Sequence, residues 1–540
     1  MNPHEPIHVG KMLGSDTEVG GYVGGGAPET PTFAEAAELL LGEIEGFPQP
    51  VPRPPRAPAM PRYYVCGDGQ VISLPPSTAE NTNPQDVGRR YLAGSGGCAY
   101  IDLDHLELCV PECASARSHL AAHHATLRIA RDAQDRVNAR LADGRRLHVL
   151  VRNTDNAGQS YGGHINVLTT RRAWDAIFDR QLHHLLWLAA FQCSSIIFTG
   201  QGKVGAEHGA EACDFQLSQR ADFFERVVGW ETTTRRPIVN SRDEPLCGRP
   251  AWRDAQRPFA RLHCIFYDTN LCHTAHLLKV GVLQIIVAML ETGRVTPKYA
   301  LEDPVAAVRA WSHDSTLRTR ARLASGRRLT ALEMQMLFCE AASAFVESGA
   351  GDALVPEART IVALWSDTLA RLQSGDFDTL ARRLDWVLKM RLCERTLARR
   401  PDLTWASPEL LRIDQLYGAL DGGLYFACEK SGAVDTLVSS GDIERAMHTA
   451  PEETRAWTRS KLLGLAAAED PRCVEEVDWD TMVFRLPDAH GRMERWRVAL
   501  DDPLAHTRAT SPAREAETLS AALEALDATF IEPPRRSYLP

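Results

Sequence analysis

The chain has 540 residues, 44% of them hydrophobic and 24% charged, with a formal net charge of −10. This balance excludes a chain that is disordered or fibrous as a whole, and the length allows two or more domains, or one large domain with an appendage. The acidic surplus gives no general attraction to a polyanion, so nucleic acid is not an expected partner.

No leader of charged, apolar and small residues opens the sequence. Lys11 to Val19 is the first segment with element-like character, and Gly20, Gly21, Gly24, Gly25 and Gly26 after it read as the start of a mobile stretch. Phe33 to Ile44 has an amphipathic helical pattern, and the seven prolines from Pro48 to Pro61 favour extended backbone. Residues 20–92 therefore read as a long insertion holding one helix. Alternation over Cys98 to Leu108 predicts a strand, and Leu120, Leu127, Val137 and Leu141 give Ala116 to Leu141 the spacing of an amphipathic helix closed by Gly144.

Strand candidates follow at Leu147–Asn153, His164–Thr169, Ser194–Thr199, Phe215–Arg220, Arg236–Asp243 and Arg261–Asp268, and helical segments at 173–191, 273–292, 303–311, 331–347 and 357–373. The longest apolar stretch, Leu277 to Leu290, contains Lys279 and Gln284, is too short to span a bilayer and reads as a buried helix, so no membrane contact is expected. Strands with intervening helices, then mostly helices, predict an α+β body over 1–420. The turn Asp421-Gly422-Gly423 sets off a small unit over 421–540, with a strand-like Asp480–Leu486 and a tail ending in a Pro-Pro-Arg-Arg stretch. Thirteen cysteines without paired spacing fit reduced thiols in a cytoplasm.

Two acidic groups carry the chemistry. Asp16 and Glu18 alternate on the first strand, and Tyr100, Asp102 and Asp104 share one face of another, followed by Glu107 and Glu112. Hard divalent cations such as Mg²⁺ take several oxygen ligands, which two acidic strands meeting at a cavity would supply; solvated strand ends are the other reading. Thr199 to Gly205 lacks the Gly-Lys-Ser/Thr ending of a phosphate loop and reads as a turn. Asn153, Asp155, Asn156, Ser160, Tyr161, His164 and Asn166 form either an active-site loop or an ordinary asparagine-rich turn. Arg235, Arg236, Arg242 and Arg261, with His263, suit phosphate or carboxylate oxygens, or else surface salt bridges with Asp243 and Glu244. The pairs His123-His124 and His183-His184, and Cys109 with Cys113, lack zinc spacing and read as structural.

Taken in order, Gly14–Gly20, Ala99–Cys113, Asn153-Thr154-Asp155, Ser160–His164, Phe215–Asp222, Arg236–Pro245, Arg261-Leu262-His263, Leu278–Gly281, Trp311–Asp314, Asp385-Trp386-Val387, Pro451–Arg455 and Val477-Asp478-Trp479 resemble the Pup ligase and Pup deamidase family, relatives of glutamine synthetase. The resemblance spans nearly the whole chain. It implies an antiparallel sheet cradle packed with helices, a small C-terminal domain, and Mg²⁺ with ATP, or ADP plus phosphate, as cofactors. By the same resemblance Asp102 is the catalytic aspartate. Asp16, Tyr100 and Glu107 fall on magnesium positions, His263 and Arg242 on cradle strands with metal and phosphate contacts, and Trp479 on an ATP contact. The implied partner is a small Pup-like protein modifier, in a proteasome-linked pathway.

Two activities use such a site. A ligase joins the modifier to a lysine through a glutamyl phosphate; a deamidase or depupylase hydrolyses the modifier's C-terminal glutamine amide or its lysine isopeptide bond. The deamidase branch is favoured by the long insertion, by Gly229-Trp230-Glu231-Thr232-Thr233, and by the spacing from Asp102 to Glu107. Departures from the family are Ile165 in place of a glutamate, Cys98 in place of an ATP-contacting arginine, Val110 in place of a small hydroxyl residue, and Asp16 in place of a glutamate. A catalytically weak nucleotide- or modifier-binding paralogue is the third reading, and Ile165 is its main support.

Overall fold

The computed structural model of the protein describes residues 8–25, 33–48, 62–65, 71–74, 88–142, 144–155, 158–243, 258–488 and 490–531. Its centre is an eight-stranded antiparallel sheet. We number the strands used below β1 (Leu13–Gly24), β2 (Phe47–Pro48), β3 (Arg90–Tyr91), β4 (Cys98–Asp102), β5 (His105–Cys113), β6 (Arg146–Leu150), β7 (Gly163–Thr170) and β8 (Phe259–Cys264). The order across the sheet is β8-β7-β1-β5-β4-β3-β2, with β6 paired to the far half of β1.

Behind the sheet lies one large core. Helix α1 (Phe33–Glu43) and helix α2 (Ala116–Arg140), started by the Ser115 side chain accepting from the Ser118 amide, pack against it. Two apolar helices, α3 (Leu182–Thr199) and α4 (His273–Glu291), are long and apolar enough to cross a membrane, but 83% and 100% of their apolar windows are buried inside the fold. They are core helices, and all 19 residues of α4 are buried.

Three expectations change. Ser194–Thr199 is the last turn and a half of α3, not a strand: the Ser194 and Ser195 hydroxyls donate to the carbonyls of Ala190 and Gln192, and Ile196, Ile197 and Phe198 bury all round, so packing overrides the β-branched preference. The glycines Gly20, Gly21 and Gly24 belong to β1, paired with β6, because Tyr22 and Val23 continue the alternation through them; Gly26 and the proline-rich 49–61 lie outside the described residues. The segment beyond the 421–423 turn does not separate there, since Tyr425, Val434, Val438 and Ile443 join the large core.

A second, smaller core gathers Leu462, Val477, Met482, Phe484, Val498 and Leu519 and receives Tyr91, Cys98, Tyr100 and Cys109 from the main sheet. Helix α5 (Ala456–Glu469) is clamped to β5 by buried ion pairs. Arg455 and Arg459 reach Glu112 at 2.8 and 2.6 Å. Burial alone would raise the Glu112 carboxyl, but the two guanidinium groups hold it at about 2. Glu112 is therefore a fastener between the two cores.

Candidate active site

The strand register assembles the site. Residues facing each other across antiparallel strands point to the same side, so each set of partners forms a row across the sheet. One row is Tyr100–Glu107–Glu18, and the next is Cys98–Cys109–Asp16–His164. A third is Gly14–Asn166–His263. Asp102 closes β4 at a two-residue turn whose first residue, Leu103, has φ 54° and is 73% exposed. These rows floor a cavity of about 640 Å³ that Asp16, Tyr100, Asp102, Glu107, Arg242, His263 and Trp479 all line. Such a volume suits a small-molecule ligand, for which roughly 300–1,000 Å³ is usual.

The floor crowds negative charge. Ligand atoms of Glu18, Asp102 and Glu107 lie within 4.8 Å of one another, as do those of Asp16, Glu107 and His164. The Glu107 carboxyl is pushed well above the usual range by burial and by Asp16 and Glu18, although the Tyr100 hydroxyl donates to it at 2.5 Å. Asp16 Oδ1 meets His164 Nδ1 at 2.8 Å and accepts from the His164 amide at 3.1 Å, while Glu18 accepts from the Gly162 amide at 2.9 Å. Oxygen donors that repel one another until a cation separates them are the donor set of a hard divalent metal such as Mg²⁺.

The walls carry the opposite charge. Arg220 is fully buried, lines the cavity, and leaves Nε and Nη1 without a hydrogen-bond partner. Burial lowers its pKa, and Glu18 and Asp268 oppose that. Its neighbour Gly162 leaves room for it, because a Cβ there would meet Arg220 Nη1 at 1.7 Å and displace the guanidinium. Arg236, Arg242 and Arg261 also line the cavity, and Arg236 braces the loop through the carbonyls of Thr232 at 2.8 Å and Ser160 at 2.6 Å. Asp243 pairs with Arg171 at 2.7 Å, outside the expected arginine set; Glu244 lies outside the described residues. Trp479 stands at the far end under Arg459, 4.8 Å from its ring, with Tyr91 edge-on at 6.2 Å.

Two of the expected metal residues are engaged by neighbouring side chains. Tyr100 supports Glu107 through its hydroxyl. His263 is in neither group of clustered ligands: its Nδ1 donates to Asn166 Oδ1 at 2.7 Å, and burial, Arg261 and His164 keep the ring neutral. His164 and Glu18 are the further members of the two clustered groups on the floor. Both alternate with recognised residues, yet only the register sets them beside Glu107. Arg220 was hidden because Phe215–Arg220 reads as a strand, whereas only Phe215–Gln216 is one.

Of the four departures, Ile165 points into the large core at 2% exposure, as its alternation with His164 and Asn166 requires, and does not line the cavity. Cys98 and Cys109 face each other across the hairpin, Cys109 lining the cavity and Cys98 buried in the smaller core, with Arg89 Nη1 3.6 Å from Cys98 Sγ and its guanidinium 3.9 Å over the Tyr100 ring. A third group, His124, His273 and Glu429, also brings ligand atoms within 4.8 Å. It does not suit a metal: His273 Nδ1 accepts from the Leu437 amide at 3.0 Å, so a neutral ring carries its proton on Nε2.

The family described as Pup-ligase protein matches residues 70–483. A depupylase of Acidothermus cellulolyticus is 37% identical over 428 residues, covering 79% of this chain and 80% of that protein. A Pup–protein ligase of Paenarthrobacter aurescens is 35% identical over 393 residues, covering 71% and 82%. The solved structure of the Pup ligase PafA in complex with ADP is 25% identical, with a TM-score of 0.66, and covers 81% of this chain and 90% of that one.

Proposed function

The chain belongs to the Pup ligase family, and from this premise we propose that it is an amidase of the deamidase and depupylase kind. It hydrolyses the C-terminal glutamine amide, or the lysine isopeptide bond, of a Pup-like small protein modifier, in the cytoplasm and in a proteasome-linked pathway. Mg²⁺ and ATP, or ADP plus phosphate, are its cofactors. The observation that carries the reading is the position of Asp102, at the end of a hairpin whose rows supply Glu18 and Glu107 within 4.8 Å.

Asp16, Glu18, Glu107 and His164 would hold Mg²⁺, with Tyr100 keeping Glu107 in place and His263 presenting Nε2 from the neighbouring strand. Arg220, Arg242 and Arg261 would face phosphate oxygens, and Trp479 the nucleobase. When bound, the cation supplies positive charge for an oxyanion developing on the carboxamide. Asp102 works from this chain's side, either as a base that takes a proton from water or as a nucleophile toward the carboxamide carbon.

The ligase reading keeps the same cradle, and the ligase relative favours it. The binding-paralogue reading loses its main support, because Ile165 is a core residue. The test is mass spectrometry of a Pup-like peptide ending in glutamine after incubation with protein, Mg²⁺ and ATP. Conversion of amide to acid, a gain of about one mass unit, that disappears in Asp102→Asn is the expected outcome. An unchanged peptide, with lysine modification of a glutamate-ended one, selects the ligase.

A further inference from the structure

On the side of the cavity nearest Trp479 lies a buried guanidinium, that of Arg89, which is 8% exposed and lines the space. Arg89 immediately precedes β3, whose pairing sets Arg90 against Ala99 and Tyr91 against Cys98. One step further along the same register sets Arg89 against Tyr100. It thereby extends the row Tyr100–Glu107–Glu18 at the end away from β1.

The side-chain contacts agree with the register. The Arg89 guanidinium lies 3.9 Å over the Tyr100 ring, and its Nη1 is 3.6 Å from Cys98 Sγ. Cys98 is fully buried, and its short thiol leaves the guanidinium its place; a longer side chain at 98 would compete for that volume. Position 98 is also where the family resemblance places an arginine. The charge missing from β4 is therefore brought within 3.6 Å of the same thiol from the neighbouring strand.

The surroundings give this charge a role. Tyr91, two residues on from Arg89 and on the same side of the sheet, meets Trp479 edge-on at 6.2 Å. Under the guanidinium, the Tyr100 hydroxyl donates to Glu107, a member of both acidic groups. A nucleotide with its base at Trp479 and its last phosphate at a cation on Glu107 has to lay its inner phosphate across the stretch between them, where Arg89 lies. Arg455 and Arg459 at that end are held by Glu112 at 2.8 and 2.6 Å, and Arg261 enters from β8 at the other side of the sheet. A guanidinium is charged at every working pH, and its planar fork matches phosphate oxygens.

We propose that Arg89 is a nucleotide-binding residue that meets the phosphate nearest the ribose of an adenine nucleotide, supplying from the start of β3 the charge that position 98 lacks. The inference rests on the nucleotide reading given above. It fixes the ligand class at this end as a nucleoside diphosphate or triphosphate, because a nucleoside without phosphate gains nothing from Arg89.

The test is calorimetric titration of the full-length protein with ADP and with adenosine, both in Mg²⁺, for the native chain and for Arg89→Gln. The variant is expected to bind ADP about tenfold more weakly or worse, the size of one lost charge-assisted contact, and adenosine within about twofold of the native chain. Unchanged ADP affinity would overturn the proposal. An equal loss for ADP and adenosine would also overturn it, since that is the mark of a packing residue. If Arg89→Gln does not melt cooperatively, Arg89→Lys decides: it keeps the charge but not the fork, and should weaken ADP about threefold with adenosine unmoved. ADP affinity unaltered in Arg89→Lys then rejects the contact. A native chain that binds neither ligand overturns the nucleotide reading together with this inference, whereas native binding that Arg89→Gln leaves intact overturns the inference alone.

Discussion

Two groups of buried titratable side chains answer burial in opposite ways. On the cavity floor, Asp16, Glu18, Asp102 and Glu107 share one small space, and the Glu107 carboxyl is pushed well up by burial and by its acidic neighbours. Between α2 and α4, His119, His123, His124 and His276 are all buried, deeper than the half-buried Glu18 and Asp102, and burial drives all four pKa values down, His119 to about 3. Those rings stack on one another, His123 on His276 at 4.1 Å, and need no ligand once neutral. An imidazole satisfies burial by losing a proton. Carboxylates on a floor meet the same demand only by gaining one or by gaining a cation. The floor therefore has the chemistry of a candidate cation site, while the histidine rings pack on one another.

The largest effect that would break this contrast is at Asp102. Asp102→Asn should lower amide hydrolysis by about 10³-fold, within the range for loss of a base or nucleophile, and leave thermal unfolding unchanged. A variant with ordinary turnover removes Asp102 from the chemistry. Next in size is Ile165→Glu, which restores a carboxylate on the core side of β7. It should cost about 3–5 kcal/mol, read as a lowered urea midpoint, because the charge is buried without a partner, and it should add nothing to Mg²⁺ affinity.

The histidine cluster predicts the acid limb of stability. A base with a depressed folded pKa contributes stability that is present above the unfolded value of about 6.5 and is lost as pH falls from there. For His119 the loss continues down to about 3. Lys279, which lies beside these rings, and Arg128, beside His124, extend the loss to lower pH, as both oppose protonation of the folded state. His119→Gln should flatten the slope by about 1.4 kcal/mol per pH unit, measured by urea unfolding between pH 6 and 4. Smallest is Glu107→Gln. Relieving the floor's repulsion should stabilise the metal-free protein by about 1 kcal/mol while abolishing the rise in melting temperature that Mg²⁺ gives the native chain. A native protein that Mg²⁺ does not stabilise contradicts the floor as a cation site.

How much of this could be read from the chain depends on distance along it. Asp16 with Glu18, and Tyr100 with Asp102, were legible because alternation on one strand fixes their common side. The same alternation places Ile165 opposite His164 and Asn166, so its turn away from the cavity was available from period two alone. The rows were not legible: Asp16 meets Cys109 and His164 across more than ninety residues of chain, and no local pattern sets that register. Arg220 needed the fold as well, because its role appears only where Gly162 makes room for it. Gly20 to Gly24 misled because glycine signals a break in isolation, while pairing with β6 holds it in a strand.

The most direct test of the central claim counts ADP released against glutamine amide hydrolysed, in one reaction containing the modifier peptide, Mg²⁺ and ATP. An amidase whose nucleotide is a cofactor gives hydrolysed peptide with ADP far below one per product, and none of the product forms with Asp102→Asn. One ADP per lysine bond formed, with the glutamine amide untouched, would contradict it and assign the same cradle to ligation.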